Sequence, residues 1–102
     1  MQVRKTPLLV LLGPTAVGKT ALSLHLAEEL GTEIISGDSM LVYRGFDIGS
    51  AKPTSEERAR VPHHLIDVLD ADETFSVTEF VARVSELVRD FDAAGRLPFV
   101  VG

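Results

Sequence analysis

The sequence predicts an α/β fold, with a mostly parallel sheet flanked by helices and incomplete at the C-terminus. Short apolar segments alternate with helical patterns along the 102 residues, and this order implies crossover connections between parallel strands. The first apolar segment runs directly into a glycine-rich sequence that opens a helix. The last segment ends at Gly102, where a turn would begin.

Four apolar runs predict strands, at residues 8–12, 33–36, 64–68 and 97–101. The first run is unbroken between Pro7 and Gly13. An unbroken apolar run is typical of a strand that is buried on both faces of a parallel sheet.

Three segments between these runs predict helices. In residues 20–30, leucines recur every four residues, at Leu22, Leu26 and Leu30, with Ser23 and Ala27 beside them, and predict the buried face. Gly31 then provides a natural stop. Residues 55–60 form a short helix if Thr54 and Glu57 act as a capping box.

The clearest helix covers residues 76–94. Ser76 and Glu79 have capping-box spacing, and Gly95 follows the last turn. Seven apolar residues from Val77 to Phe91 fall on a single stripe, which we interpret as core.

Composition limits the class of protein. The length suits part or all of one domain, residues 1–102, and 45% hydrophobic residues can form a core. The lack of cysteine excludes disulfides and thiolate metal sites. No apolar run is long enough for a leader or a membrane span, so we expect a cytoplasmic protein without membrane contact. The net charge of −5 argues against nucleic-acid binding by these residues alone.

The first strand leads into a complete phosphate-binding motif, G-x-x-x-x-G-K-[ST]. Its residues are Gly13, Pro14, Thr15, Ala16, Val17, Gly18, Lys19 and Thr20. Backbone N–H groups of such a loop and the following helix N-terminus bind phosphate, Lys19 adds a positive charge, and the Thr20 hydroxyl can bind Mg²⁺. The motif predicts a P-loop NTPase-like sheet. A plain glycine turn is the structural alternative, and a Rossmann site is excluded because Thr15 replaces the required second glycine.

Asp38 follows the second strand, so it should lie at the same sheet edge as the phosphate loop, where ligands bind in open α/β sheets. It can act there as a general base or an orienting acceptor. Asp also caps local turns, and spacing alone leaves both roles open.

The phosphate motif and the segment from Gly37 to Thr54, GDSMLVYRGFDIGSAKPT, resemble the tRNA dimethylallyltransferase family. The likeness continues in order through VPHHLID, from Val61 to Asp67, and GRLPFVVG, from Gly95 to Gly102. It covers nearly the whole chain, and in the family a glycine-rich turn continues beyond the position of Gly102. We therefore expect an N-terminal fragment, inactive alone, although a complete chain ending on a strand is the alternative.

The resemblance implies transfer of a dimethylallyl group from dimethylallyl diphosphate to N6 of an adenine in the tRNA anticodon loop. The phosphate loop would bind the diphosphate, with Lys19 and Thr20-bound Mg²⁺ neutralising its charge, and Asp38 would accept the amine proton. The tRNA-contacting residues would be Asp38, Ser39, Met40 and Leu41. The family often has Gln at the position of Leu41, so a polar contact is lost there. We expect a monomer.

Two other functions fit a phosphate loop. A small-molecule kinase would use ATP and let Asp38 activate a hydroxyl, whereas a nucleotide-binding switch would need an acid on a later strand. Asp67 is a weak candidate for that acid. His63 and His64 could bind a metal, but a structural role in a loop is the better interpretation, because no carboxylate or cysteine has ligand spacing. Tyr43 and Arg44 are candidates for RNA contact or, for Tyr43, for packing.

Overall fold

The computed structural model describes residues 7–13, 18–45, 52–70 and 72–102. Predictions for Pro14, Thr15, Ala16 and Val17, and for the loop at residues 46–51, lie outside these residues. The described strands are β1 (Leu9–Leu11), β2 (Ile34–Ser36), β3 (His63–His64) and β4 (Phe99–Val101). The described α-helices are α1 (Lys19–Leu30), α2 (Ser55–Arg60) and α3 (Val77–Ala93), and a 3-10 turn covers Ser39–Val42.

The strands form a parallel sheet in the order β1-β4-β2-β3, which confirms the predicted fold class. In the register, Leu9 lies opposite Phe99, and Ile35 lies opposite Val100. Because the strands are parallel, the carboxyl ends of β1, β2 and β4 meet at one edge. Two further hydrogen bonds extend that edge, from Gly37 N to Val101 O at 2.8 Å and from Gly102 N to Leu11 O at 3.0 Å.

Alternate side chains give the sheet two covered faces. On one face, Ile34 and Phe99 pack against Leu24 and Ala27 of α1. On the other face, Ile35 belongs to a cluster with residues of α3. The sheet is therefore the middle layer between α1 and α3.

The buried face of α1 differs in part from the predicted one. Leu22 and Leu30 are nearly half exposed, at 46% and 47%, whereas Ser23 and Ala27 are buried. Of the three leucines, only Leu26 packs against the core. Ser23 and Ala27, which lie beside the leucines in the predicted pattern, are thus buried, whereas two of the three leucines are not.

The prediction that β1 is buried on both faces is wrong for the described residues. Val10 is 47% exposed, and Leu8 and Leu12 are exposed as well. Among the described strands β1 pairs with β4 alone, and α3 covers the sheet at Val100 but leaves Val10 open.

The third strand is shorter than predicted and begins earlier, since β3 covers only His63–His64. Leu65 and Asp67 have φ angles of 68° and 56°, which a strand cannot contain. The amides of Asp67 and Val68 donate instead to the carbonyls of Leu41 and Val42, at 3.0 and 2.8 Å. The segment after β3 therefore packs along the 3-10 turn.

The predicted capping residues begin both later helices. Thr54 and Glu57 form the full capping box of α2. At α3, the Ser76 hydroxyl accepts from Glu79 N at 3.1 Å. Val77 and Val81 of the predicted stripe are exposed, but the stripe packs against the sheet from Phe80 onward. None of the helices in the described segments is long and apolar enough to span a membrane.

Candidate active site

The site lies where the carboxyl ends of the strands meet the N-terminus of α1. Gly18 precedes α1 in a left-handed conformation, with φ 78°, which favours glycine. The next residue, Lys19, reaches across the edge, and its ammonium group donates to the carbonyl oxygen of Gly102 after β4. The first turn of α1 is thus fixed beside the end of the sheet.

A cleft opens at this edge. Its polar lining includes Lys19, Thr20, Ser23, Ser36, Asp38 and His63. Its apolar lining includes Ile34, Leu41, Pro53, Ile66 and Val101. A cationic group, a hydroxyl and a carboxylate from separate elements therefore share one cleft.

Asp38 caps a turn and also lies at the cleft, and its role as a base stays a prediction. Its Oδ1 accepts from Met40 N at 3.0 Å and caps the 3-10 turn, and its side chain also lines the cleft. Within the described residues the carboxylate accepts through Oδ1 alone, which leaves Oδ2 for a ligand. A Cβ on the preceding Gly37 would lie 3.0 Å from Val100 Cγ1, so glycine lets the chain pass close to β4 here.

The cleft lining combines the polar residues Lys19 and Thr20 with the apolar residues Leu41 and Ile66. The lysine offers a positive charge and the threonine an oxygen ligand of the kind that Mg²⁺ accepts. Among the described residues no group of three or more His, Cys, Asp or Glu side chains forms a metal cage. Thr20 is thus the candidate ligand that the described cleft offers to Mg²⁺, and this role stays a prediction.

The predicted RNA contacts divide into two kinds. Ser39 and Met40 are exposed on the 3-10 turn and are not part of the cleft lining, whereas Leu41 is buried and lines the cleft. The roles predicted for Asp38, Ser39, Met40 and Leu41 toward tRNA remain predictions.

His63 is the cleft residue that sequence reasoning missed. Its Nδ1 lies 2.7 Å from the carbonyl oxygen of Val61. A carbonyl can only accept, so Nδ1 carries the proton. Burial, together with the nearby Arg58 charge, lowers the pKa of His63 from its ordinary value. The parallel pairing of β3 with β2, which brings His63 to the cleft, leaves no short-range signal in the sequence.

His64 points to a different contact, with its Nε2 2.7 Å from Glu33 Oε1. Arg96 donates to the other oxygen of Glu33 at 2.8 Å. The hydrogen bond from His64 is the main cause that lowers the pKa of Glu33. The structural role predicted for the histidines holds for His64, and the described residues give neither histidine a set of metal ligands.

Asp67 does not lie on a strand, so it is not the strand acid that a nucleotide switch would need. Its carboxylate is paired with Lys52 at 2.6 Å and with Arg58 at 2.7 Å. Tyr43 packs on the cluster around Phe91, as the packing alternative predicted. Arg44 is exposed and paired with Asp70.

Comparison with known proteins identifies relatives of this architecture. The family model for IPP transferase matches residues 41–102. A tRNA dimethylallyltransferase of Symbiobacterium thermophilum is 64% identical over 98 residues, 96% of this chain and 31% of that protein. One from Lactiplantibacillus plantarum is 58% identical over 100 residues, 98% of this chain and 32% of that protein. The chain thus spans about a third of the length of the curated relatives it matches.

Solved structures of tRNA-modifying transferases have a similar fold. The full-length tRNA isopentenylpyrophosphate transferase of Bacillus halodurans superposes with a TM-score of 0.86 and 54% identity, over 96% of this chain and 33% of that one. A eukaryotic dimethylallyltransferase acting on tRNA superposes with a TM-score of 0.83 and 35% identity, over 93% of this chain and 24% of that one.

Proposed function

The chain belongs to the IPP transferase family, and we propose that its protein transfers a dimethylallyl group from dimethylallyl diphosphate to N6 of an adenine in the tRNA anticodon loop. The observation that carries the proposal is the shared cleft, which is lined by Lys19, Thr20 and Asp38. Lys19 and Thr20 can bind a diphosphate leaving group, and the Asp38 carboxylate can accept a proton. Both are needed in a reaction that expels diphosphate and releases a proton.

Each group has a part in the transfer. The adenine N6 forms a bond to the first carbon of the prenyl group while the bond from that carbon to the diphosphate oxygen breaks. The electron pair of that bond leaves with the diphosphate, whose growing charge is stabilised by Lys19 and the phosphate loop, Gly13 to Thr20. The N6 proton passes to Asp38 Oδ2. An exocyclic adenine amine is weakly nucleophilic, so a positioned base assists its attack.

We further propose that Thr20 contributes an oxygen ligand to Mg²⁺. The ion neutralises charge on the diphosphate when it is bound. Thr20 suits this part because its side chain lines the cleft beside Lys19.

The acceptor is an RNA base that must leave its stack to enter the cleft. The cleft supports this with apolar surface from Leu41 and Ile66, on which a flat base can pack. A tRNA substrate and a soluble donor suit a cytoplasmic enzyme.

A double-label assay tests the function in the full-length protein that contains this sequence. Purified protein is incubated with unmodified tRNA, dimethylallyl diphosphate labelled in the prenyl group, and ATP labelled at the γ-phosphate. We expect prenyl label in the RNA, at an adenine beside the anticodon, and no phosphate label in any acceptor. Phosphate transfer without prenyl transfer would contradict the proposal in favour of a kinase.

A further inference from the structure

A charge cluster outside the transfer machinery ties the wall of the cleft together. Asp67 Oδ1 accepts from Lys52 Nζ at 2.6 Å, and Oδ2 accepts from Arg58 at 2.7 Å. The Lys52 side chain is 9% exposed and the Asp67 side chain 28%, so water screens the pair with Lys52 only partly. The hydrogen bond from Lys52 is the main cause that lowers the pKa of Asp67.

The cluster joins three segments that each contribute an apolar residue to the cleft. Lys52 precedes Pro53, Asp67 follows Ile66, and the Asp67 amide donates to the carbonyl of Leu41 at 3.0 Å. Lys52 Nζ donates also to the carbonyl of Tyr43 at 3.2 Å, which fixes the chain just after Leu41. The Asp67 carboxylate and amide, together with Lys52, thus connect the segments that carry Leu41, Pro53 and Ile66.

The backbone at Asp67 supports this interpretation. Its φ of 56° is left-handed, a conformation that Asp adopts more readily than most residues but that still benefits from local contacts. The ion pairs with Lys52 and Arg58 and the amide bond to Leu41 supply those contacts.

From these contacts we propose that Asp67 is a positioning residue, which fixes the apolar wall of Leu41, Pro53 and Ile66 against the acceptor base. The inference rests on the proposed function. The donor diphosphate lies at Lys19 and Thr20, which the cluster does not touch in the described residues, so loss of the cluster should affect the acceptor and spare the donor.

The test is a comparison of KM values for Asp67→Asn in the full-length protein. Asparagine keeps the size of the side chain and tolerates a left-handed φ, so the change removes mainly the charge. We expect the KM for tRNA to rise about tenfold, while the KM for dimethylallyl diphosphate stays within about twofold. Lys52→Met should reproduce this difference between the two KM values. The double variant should be little worse than either single variant, because both changes break the same ion pair between Lys52 and Asp67.

The matched control is Glu28→Gln, which breaks the ion pair of Glu28 with Arg60, at 2.6 Å, on the other side of α2. This pair is exposed and Glu28 is not in the cleft lining, so both KM values should be unchanged. If the wild type is active and Asp67→Asn has an unchanged KM for tRNA, the inference is wrong but the proposed function stands. The same holds if Asp67→Asn changes both KM values equally. A wild-type protein without prenyl transfer would contradict the proposed function as well.

Discussion

Single residues show most clearly what local sequence can reveal. Lys19, Thr20 and Asp38 were placed at one site because a phosphate motif and a strand end have recognisable spacing, and all three line the cleft. His63 lines it as well, but its place depends on pairing with β2, where Ile34 lies opposite His63. Local patterns contain no information on that pairing, so a histidine at the cleft was not predicted.

The pH dependence of folding should report the burial of His63. Its folded pKa lies below the ordinary 6.5, so the unfolded chain binds a proton that the folded chain does not. Stability should therefore be full above about pH 6.5 and fall as the pH decreases from there toward the folded pKa. We expect His63→Asn to flatten this part of the curve, measured as urea midpoints between about pH 5 and pH 7, because asparagine does not titrate.

The carboxylates of Glu33 and Asp67 set the lower pH limit of this test. Glu33 and Asp67 have lowered pKa values, so the stability they contribute is present above their ordinary values of 4.5 and 3.8 and is lost at lower pH. Their titration falls below the range used for His63. An identical slope in the wild type and His63→Asn would contradict the interpretation.

At the scale of elements, helix ends were predictable, and so was most of the stripe of α3, whereas the buried face of α1 was predicted only in part. The caps at Thr54 and Ser76 depend on contacts three residues apart, which a sequence displays directly. On α1, Ser23 and Ala27 of the predicted pattern are buried, whereas Leu22 and Leu30 are nearly half exposed. The end of β3 was missed because the left-handed turn at Leu65 and Asp67 involves residues that are not glycine.

The capping box of α2 gives a quantitative prediction. The Thr54 hydroxyl accepts from Glu57 N at 3.2 Å, and Glu57 Oε1 accepts from Thr54 N at 2.8 Å. Thr54→Ala should cost about 1 kcal/mol of unfolding free energy, because the helix N-terminus loses its acceptor. Denaturant unfolding checks this, with Thr54→Ser as the control that keeps the hydroxyl. Equal losses in both variants would show that the hydroxyl is not the cause.

At the scale of the whole molecule, alternation of strands and helices was enough to predict the parallel sheet. The strand order β1-β4-β2-β3 and the ion pairs across the cleft wall were beyond prediction, since they join residues far apart in sequence. Val10 was predicted to be buried because its apolar run is unbroken, yet it is half exposed at the edge of the described sheet. The chain spans about a third of its curated relatives, so activity is a property to be measured on the full-length protein.

In the proposed reaction, Lys19 binds the donor and Asp38 accepts the proton, and both residues line one cleft. The variant Asp38→Asn isolates the second part, because asparagine can still cap the 3-10 turn through its side-chain oxygen. Lys19→Met is the matched variant for the first part, and it should weaken binding of dimethylallyl diphosphate.

The most direct measurement is single-turnover prenyl transfer by full-length Asp38→Asn, together with its Kd for dimethylallyl diphosphate. We expect the transfer rate to fall about 100- to 10,000-fold, as for loss of a general base, while the Kd changes less than about threefold. Transfer at a rate close to that of the wild type would contradict the account.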